Sequence, residues 1–99
     1  MALEGKIHEY SDVYLDDIKK EFSSIPFIQK IYVEKIPSGY DLVIIHNEEK
    51  TNIALSTITR SKINLKKKLT NVYVELTVLR SSDFNRKEWA SRKLIFERN

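Results

Sequence analysis

Tyr40-Asp41-Leu42-Val43-Ile44-Ile45-His46 is the stretch that decides the fold. Leu42 to Ile45 is an unbroken aliphatic run with no polar face. A half-solvated strand alternates apolar and polar residues; a run like this one reads as a central strand covered on both sides. It is far too short to span a membrane. Just before it, Pro37-Ser38-Gly39-Tyr40 is a turn signal, because Pro presets φ and Gly accepts positive φ. Phe27 to Ile36 precedes the turn and is rich in β-branched and aromatic residues, so the two segments read as a hairpin. Phe27, Ile31 and Val33 are assigned to one face of that first strand. Ile28, Tyr32 and Ile36 are assigned to the other.

Further toward the N-terminus, apolar residues recur in steps of three and four at Leu3, Ile7, Tyr10, Tyr14, Ile18, Phe22 and Ile25. That spacing places them on one helical stripe. Pro26 disfavours helical geometry at Ile25 and ends the helix near Ser24. Its start is either near Leu3 or at a Ser11 cap. After the hairpin, Asn47 is expected to cap a second helix with Glu48 and Glu49 in its first turn. Ala54, Ile58, Leu65 and Leu69 form its apolar line, with Leu55 and Ile63 beside it. Lys66, Lys67 and Lys68 fall at its C-terminal end, where cations complement the helix dipole. Val72 to Leu79 alternates cleanly and reads as a third strand. Phe84 to Ser91 is expected to be a short helix carrying Trp89, and Leu94-Ile95-Phe96 either a last strand or a docked tail. The result is one α+β domain over residues 1–99. Its elements run helix, strand, strand, helix, strand and a mixed C-terminal part, with a three- or four-stranded mixed sheet and helices packed on it.

Ninety-nine residues suit one hydrophobic core. The absence of cysteine removes disulfides, thiol nucleophiles and zinc–thiolate sites, and it favours a reducing compartment. Residues 1–10 have no apolar leader core. A cytoplasmic protein without membrane attachment is the expectation. Charge is divided unevenly. Residues 1–50 contain six Lys and ten acids (−4), and residues 51–99 contain eleven Lys and Arg and four acids (+7), which together give +3. Such a chain presents a bipolar surface unless the fold mixes its two halves.

Three constellations could carry function. Asp41 and Glu75 would approach if the second and third strands are neighbours, and two hard oxygen ligands suit a divalent cation. Against this, alternation in the third strand places Glu75 on a solvated face. Arg60, Lys62, Lys66, Lys67, Lys68, Arg86, Lys87, Arg92 and Lys93, together with Arg80 and Arg98, would make a nucleic-acid-binding patch if the second helix and the C-terminal part lie side by side. Tyr73, Phe84 and Trp89 are near enough in sequence to stack on bases. Trp89, alone among polar neighbours, is either a core anchor or an interface hot spot. His8 and His46 lack metal-ligand spacing and read as exposed or lightly hydrogen-bonded. Nothing in the sequence calls for a cofactor.

Lys30-Ile31-Tyr32-Val33, Ser38-Gly39-Tyr40-Asp41-Leu42-Val43-Ile44-Ile45 and the strand Val72 to Leu79 together resemble a worn-down nucleotidyltransferase fold over residues 10–80. Asp41 matches the second Asp of that family's Ser-Asp-X-Asp motif and Ser38 its Ser, while Glu75 falls where the third carboxylate lies. Gly39 replaces the first Asp, Glu34-Lys35 stands where the family has Gly-Ser, and a tight turn replaces the triphosphate loop. The resemblance therefore implies a non-catalytic relative, since two-metal phosphoryl transfer needs the missing carboxylate. Three functions follow as expectations. The first is a non-catalytic interaction or dimerisation module, its partner another protein or a second copy, met by pairing the acidic first helix with the basic second helix or through an exposed edge at the first strand or Leu94-Ile95-Phe96. The others are a nucleic-acid-binding domain, and a degenerate nucleotidyltransferase-like domain that still holds nucleotide or metal.

Overall fold

Leu42, Val43, Ile44 and Ile45 are all buried, so both faces of the deciding strand are dry. A computed structural model describes residues 12–85, 87–89 and 91–98. Its order is α1 (Asp12–Ser23), β1 (Ile28–Ile36), β2 (Gly39–His46), α2 (Thr51–Lys68), β3 (Tyr73–Arg80), a 3₁₀ turn (Ser81–Asp83) and β4 (Lys93–Glu97). The sheet is four-stranded, in the order β3-β2-β1-β4. β1 pairs antiparallel with β2 and β4, and β2 pairs parallel with β3 across the α2 crossover.

The two faces are covered by different means. Leu42 and Ile44 join Ile31, Val33 and Val74 under both helices, against Ile18, Phe22, Ile58 and Leu65. Val43 and Ile45 join Tyr32 on the opposite face, where Leu79, Phe84 and Trp89 pack over them. That cover is not the helix expected from Phe84 to Ser91. A single 3₁₀ turn leads into chain that is non-helical among the described residues. The Asn85 side chain accepts a hydrogen bond from the Lys87 N–H (3.0 Å), a local turn that competes with helix formation. Leu94-Ile95-Phe96 is a strand, paired to β1.

Three further expectations are corrected. The register of β1 shifts between Ile28 and Lys30. This bulge brings Ile28 to the helix face with Ile31 and Val33, although strict alternation would part them. Asn47 does not cap α2. The helix starts at Thr51 with no acid in its first turn and no side-chain cap on Lys50. Asn47 instead donates its N–H to Phe27 (3.1 Å), and Glu48 accepts from the Lys50 N–H (3.1 Å). Gly39 does not have positive φ. A Cβ there would overlap the Tyr73 carbonyl oxygen, so glycine is needed for the close approach of β3 to β2. The helix starts expected at Leu3 or Ser11, together with His8 and Tyr10, lie outside the described residues. Among the described residues no helix is long and apolar enough to cross a membrane.

Candidate functional site

Glu34, Asp41 and Glu75 form a row across three adjacent strands. Asp41 is the register partner of Glu34 on β1 and of Glu75 on β3. Strand alternation puts all three on the face opposite the helices, with Tyr32 and Val43. The parallel pairing of β2 and β3 thus brings the two sequence-predicted metal ligands side by side. The cation beside them belongs to the chain itself. Arg92 donates from Nη1 to Glu34 Oε1 (2.6 Å), and its Nη2 lies 3.1 Å from Asp41 Oδ2. Its guanidinium also lies over the Trp89 ring, 5.2 Å from the centroid. Both carboxylates are thereby paired, and the planar fork of arginine suits two acceptors in one row. Among the described residues no cluster of three His, Cys, Asp or Glu side chains is arranged to hold a metal ion.

Trp89 packs against the cluster of Tyr32, Val43 and Ile45. Its Nε1 is buried without a hydrogen-bond partner among the described residues, so apolar contact and the Arg92 cation hold it. Tyr32 stacks on Phe84 (5.5 Å) beside it.

The basic residues occupy several separate places. α2 packs toward β3, while α1 packs on β1 and β4. The α2 cations and the C-terminal part therefore lie toward opposite edges of the sheet, rather than side by side. Arg80 donates to the Glu49 carbonyl (2.7 Å) and to Thr51 Oγ1 (3.0 Å), tying β3 to the start of α2. Arg98 donates to the carbonyls of Ser23 (2.9 Å), Ile25 (3.1 Å) and Ile28 (2.9 Å), clasping the α1–β1 link. Lys68 pairs with Glu21 on α1 (3.8 Å). Arg60, Lys66 and Lys67 are exposed on α2, with Lys62 half-buried; Lys87 and Lys93 are exposed in the C-terminal part. Arg86 lies outside the described residues.

His46 is not exposed: it is 3% accessible at the end of β2. Its Nδ1 accepts the Glu48 N–H (3.1 Å), and its ring lies edge-on to Phe27 (6.0 Å). Burial, followed by the nearby Arg80 charge, lowers its pKa below 6.5, against a smaller opposing effect of Glu48.

The first strand, expected as a candidate edge, is interior, paired with both β2 and β4. Leu94-Ile95-Phe96 lies on the edge strand β4, and the surface at the other edge was missed in the sequence. Among the described residues β3 is an edge strand, bonded to β2 on one side only. Beside it, α2 leaves Leu55 45% and Ile63 53% accessible. Asn52, Leu55, Ser56, Thr59, Arg60 and Ile63 line a shallow groove along the outer flank of α2. Leu55 also lines a hollow with Val78, Leu79 and Arg80 of β3, so the groove adjoins the open edge. Tyr73, at the start of β3, is 48% accessible. The 3–4 spacing of this outer stripe was the available signal, and the apolar line toward the core obscured it.

Comparison of the chain with protein-family models, with curated proteins and with solved structures found no match. The functional reading therefore rests on these two surfaces.

Proposed function

We propose that the domain is a non-catalytic interaction module that associates through the β3 edge and the outer stripe of α2. The observation that carries this reading is the juxtaposition of an eight-residue strand edge, unpaired among the described residues, with the exposed Leu55 and Ile63. An open edge offers backbone donors and acceptors for strand addition, and adjacent apolar side chains supply affinity. Such edges are usually blocked by Pro, a bulge or inward charges. β3 has no Pro, and its pairing with β2 runs without a register shift. The pairing of Arg92 with Glu34 and Asp41 adds support, because it places an intramolecular cation where a nucleotidyltransferase-like site would hold metal.

The test has two arms. Sedimentation of the purified chain, alone or with a candidate protein, is expected to show association that Leu55→Ser with Ile63→Ser removes while the fold is retained. Incubation with nucleoside triphosphates and Mg²⁺ is expected to give no turnover. Measurable nucleotidyl transfer would overturn the reading.

A further inference from the structure

We infer that the partner at this surface is a second copy of the chain, joined about a two-fold axis that extends the sheet from four strands to eight. This inference rests on the interaction reading above and adds the partner, the register and the axis.

The outer stripe of α2 is self-complementary. Antiparallel pairing with the axis at Thr59 sets Leu55 opposite Ile63 of the second copy, Ile63 opposite Leu55, and Asn52 opposite Lys66. Ser56 and Thr59 are small enough for the helices to approach closely. The ends match in charge, because the exposed Glu49 just before α2 comes within a turn of Lys66 and Lys67 of the second copy. A parallel pairing would set lysines against lysines.

The edge strand accommodates the same axis. Leu55 and Val78 line the same hollow, and α2 and β3 run in opposite directions across the crossover. Thr59 is four helical residues on from Leu55, ~6 Å at ~1.5 Å each. Leu76 is two strand residues back from Val78, ~6.6 Å at ~3.3 Å each. The axis through Thr59 therefore passes near Leu76. Pairing β3 antiparallel about Leu76 sets Leu76 against Leu76, Val74 against Val78, Tyr73 against Leu79, and Glu75 against Thr77. Apolar residues thus meet apolar residues, and Glu75 meets a hydroxyl. Backbone direction agrees too. The Tyr73 N–H donates to Ser38 (3.0 Å), toward β2. Peptide groups alternate along a strand, so the N–H and C=O groups of Val74, Leu76 and Val78 point outward at the edge. These are the groups that the pairing joins. Such a shared axis makes an isologous, closed dimer rather than a fibre. The two Arg60 side chains flank the axis and repel, which weakens the dimer.

Amide exchange across a concentration series tests the register. Protection of Val74, Leu76 and Val78 amides should rise with concentration, while Tyr73, Glu75, Thr77 and Leu79, bonded to β2, stay protected throughout. Sedimentation tests the axis. Glu49→Lys, or Lys66→Glu with Lys67→Glu, should weaken dimerisation by roughly tenfold or more, and the three changes together in one chain should restore it. Arg60→Ala should tighten it. All four positions are at the surface, so the variants should fold. A monomer at millimolar concentration, or a dimer with no concentration-dependent protection at residues 74, 76 and 78, overturns the inference. A monomer leaves the interaction reading standing for a different protein partner, whereas a dimer that bypasses residues 74, 76 and 78 also removes β3 as its surface. Nucleotide turnover alone would overturn the non-catalytic part of that reading.

Discussion

Gly39 and His46 show how single residues bear tertiary constraints. At Gly39 the space for a Cβ is occupied by the Tyr73 backbone rather than by a side chain that could swing away. Gly39→Ala must push β3 from β2, and is expected to cost about 1–3 kcal/mol or more, read as a lowered urea midpoint. His46 is held neutral. Its folded pKa is below the unfolded 6.5, so between the two values the unfolded chain binds more protons. Its contribution to stability is full above 6.5 and is lost as pH falls through 6.5 toward the lowered folded value. The melting temperature should therefore drop on acidification from neutral pH, and His46→Gln should show a shallower drop over the same range. An equal slope in both proteins would show that another group governs the dependence. His46 was legible in the sequence as a strand end. Its burial was not, because Phe27 and Ser81 reach it from distant parts of the chain: the ring of one lies against it and the hydroxyl of the other donates to its carbonyl (3.1 Å).

Among the elements, the connection from β3 to β4 departs most from its sequence appearance. Ser81-Ser82-Asp83 and the spacing through Trp89 suggest a capped helix, yet this segment works as a lid over Tyr32, Val43 and Ile45. Trp89 and Arg92 hold it there, one by apolar contact and the other by pairing with β1 and β2. Trp89→Ala should cost about 3 kcal/mol, at the low end for a large aromatic because the ring is only half-buried. Arg92→Ala should cost about 2 kcal/mol, less than a fully buried pair would, because Glu34 faces water. Thermal melts of both variants check these figures. If the carboxylate row served as a cation site, removing Arg92 would let Mg²⁺ raise the melting temperature. The interaction reading expects no such rise. The hairpin and α2, by contrast, were readable within a few residues, since turn chemistry and helical spacing are local properties.

For the whole molecule, the fold pairs charges that the sequence separates. Acids of residues 1–50 meet bases of residues 51–99 at Glu21–Lys68, Glu34–Arg92 and Asp41–Arg92, with Lys30–Glu97 in the reverse sense. The split of −4 and +7 is thus partly cancelled in space. The same closure gives the last described residues unusual weight. β4 forms the edge beside β1, Ile95 and Phe96 pack on the main core, and Arg98 binds three carbonyls at the α1–β1 link. A chain ending at Arg92 should lose its cooperative thermal transition by circular dichroism, because β1 becomes an edge and the link loses its clasp. Retention of a sharp transition would show that the first three strands suffice.

The sequence by itself determined the layered α+β class, the hairpin, the two main helices and the burial of Leu42 to Ile45, because periodicity and turn residues act over a few positions. Tertiary structure alone decided that Arg92 would sit between Glu34 and Asp41, that Gly39 was needed for contact with Tyr73, and that Leu55 would flank an open β3. Each of these depends on strand order and register, which are set by the packing of the two sheet faces and are written in no local pattern.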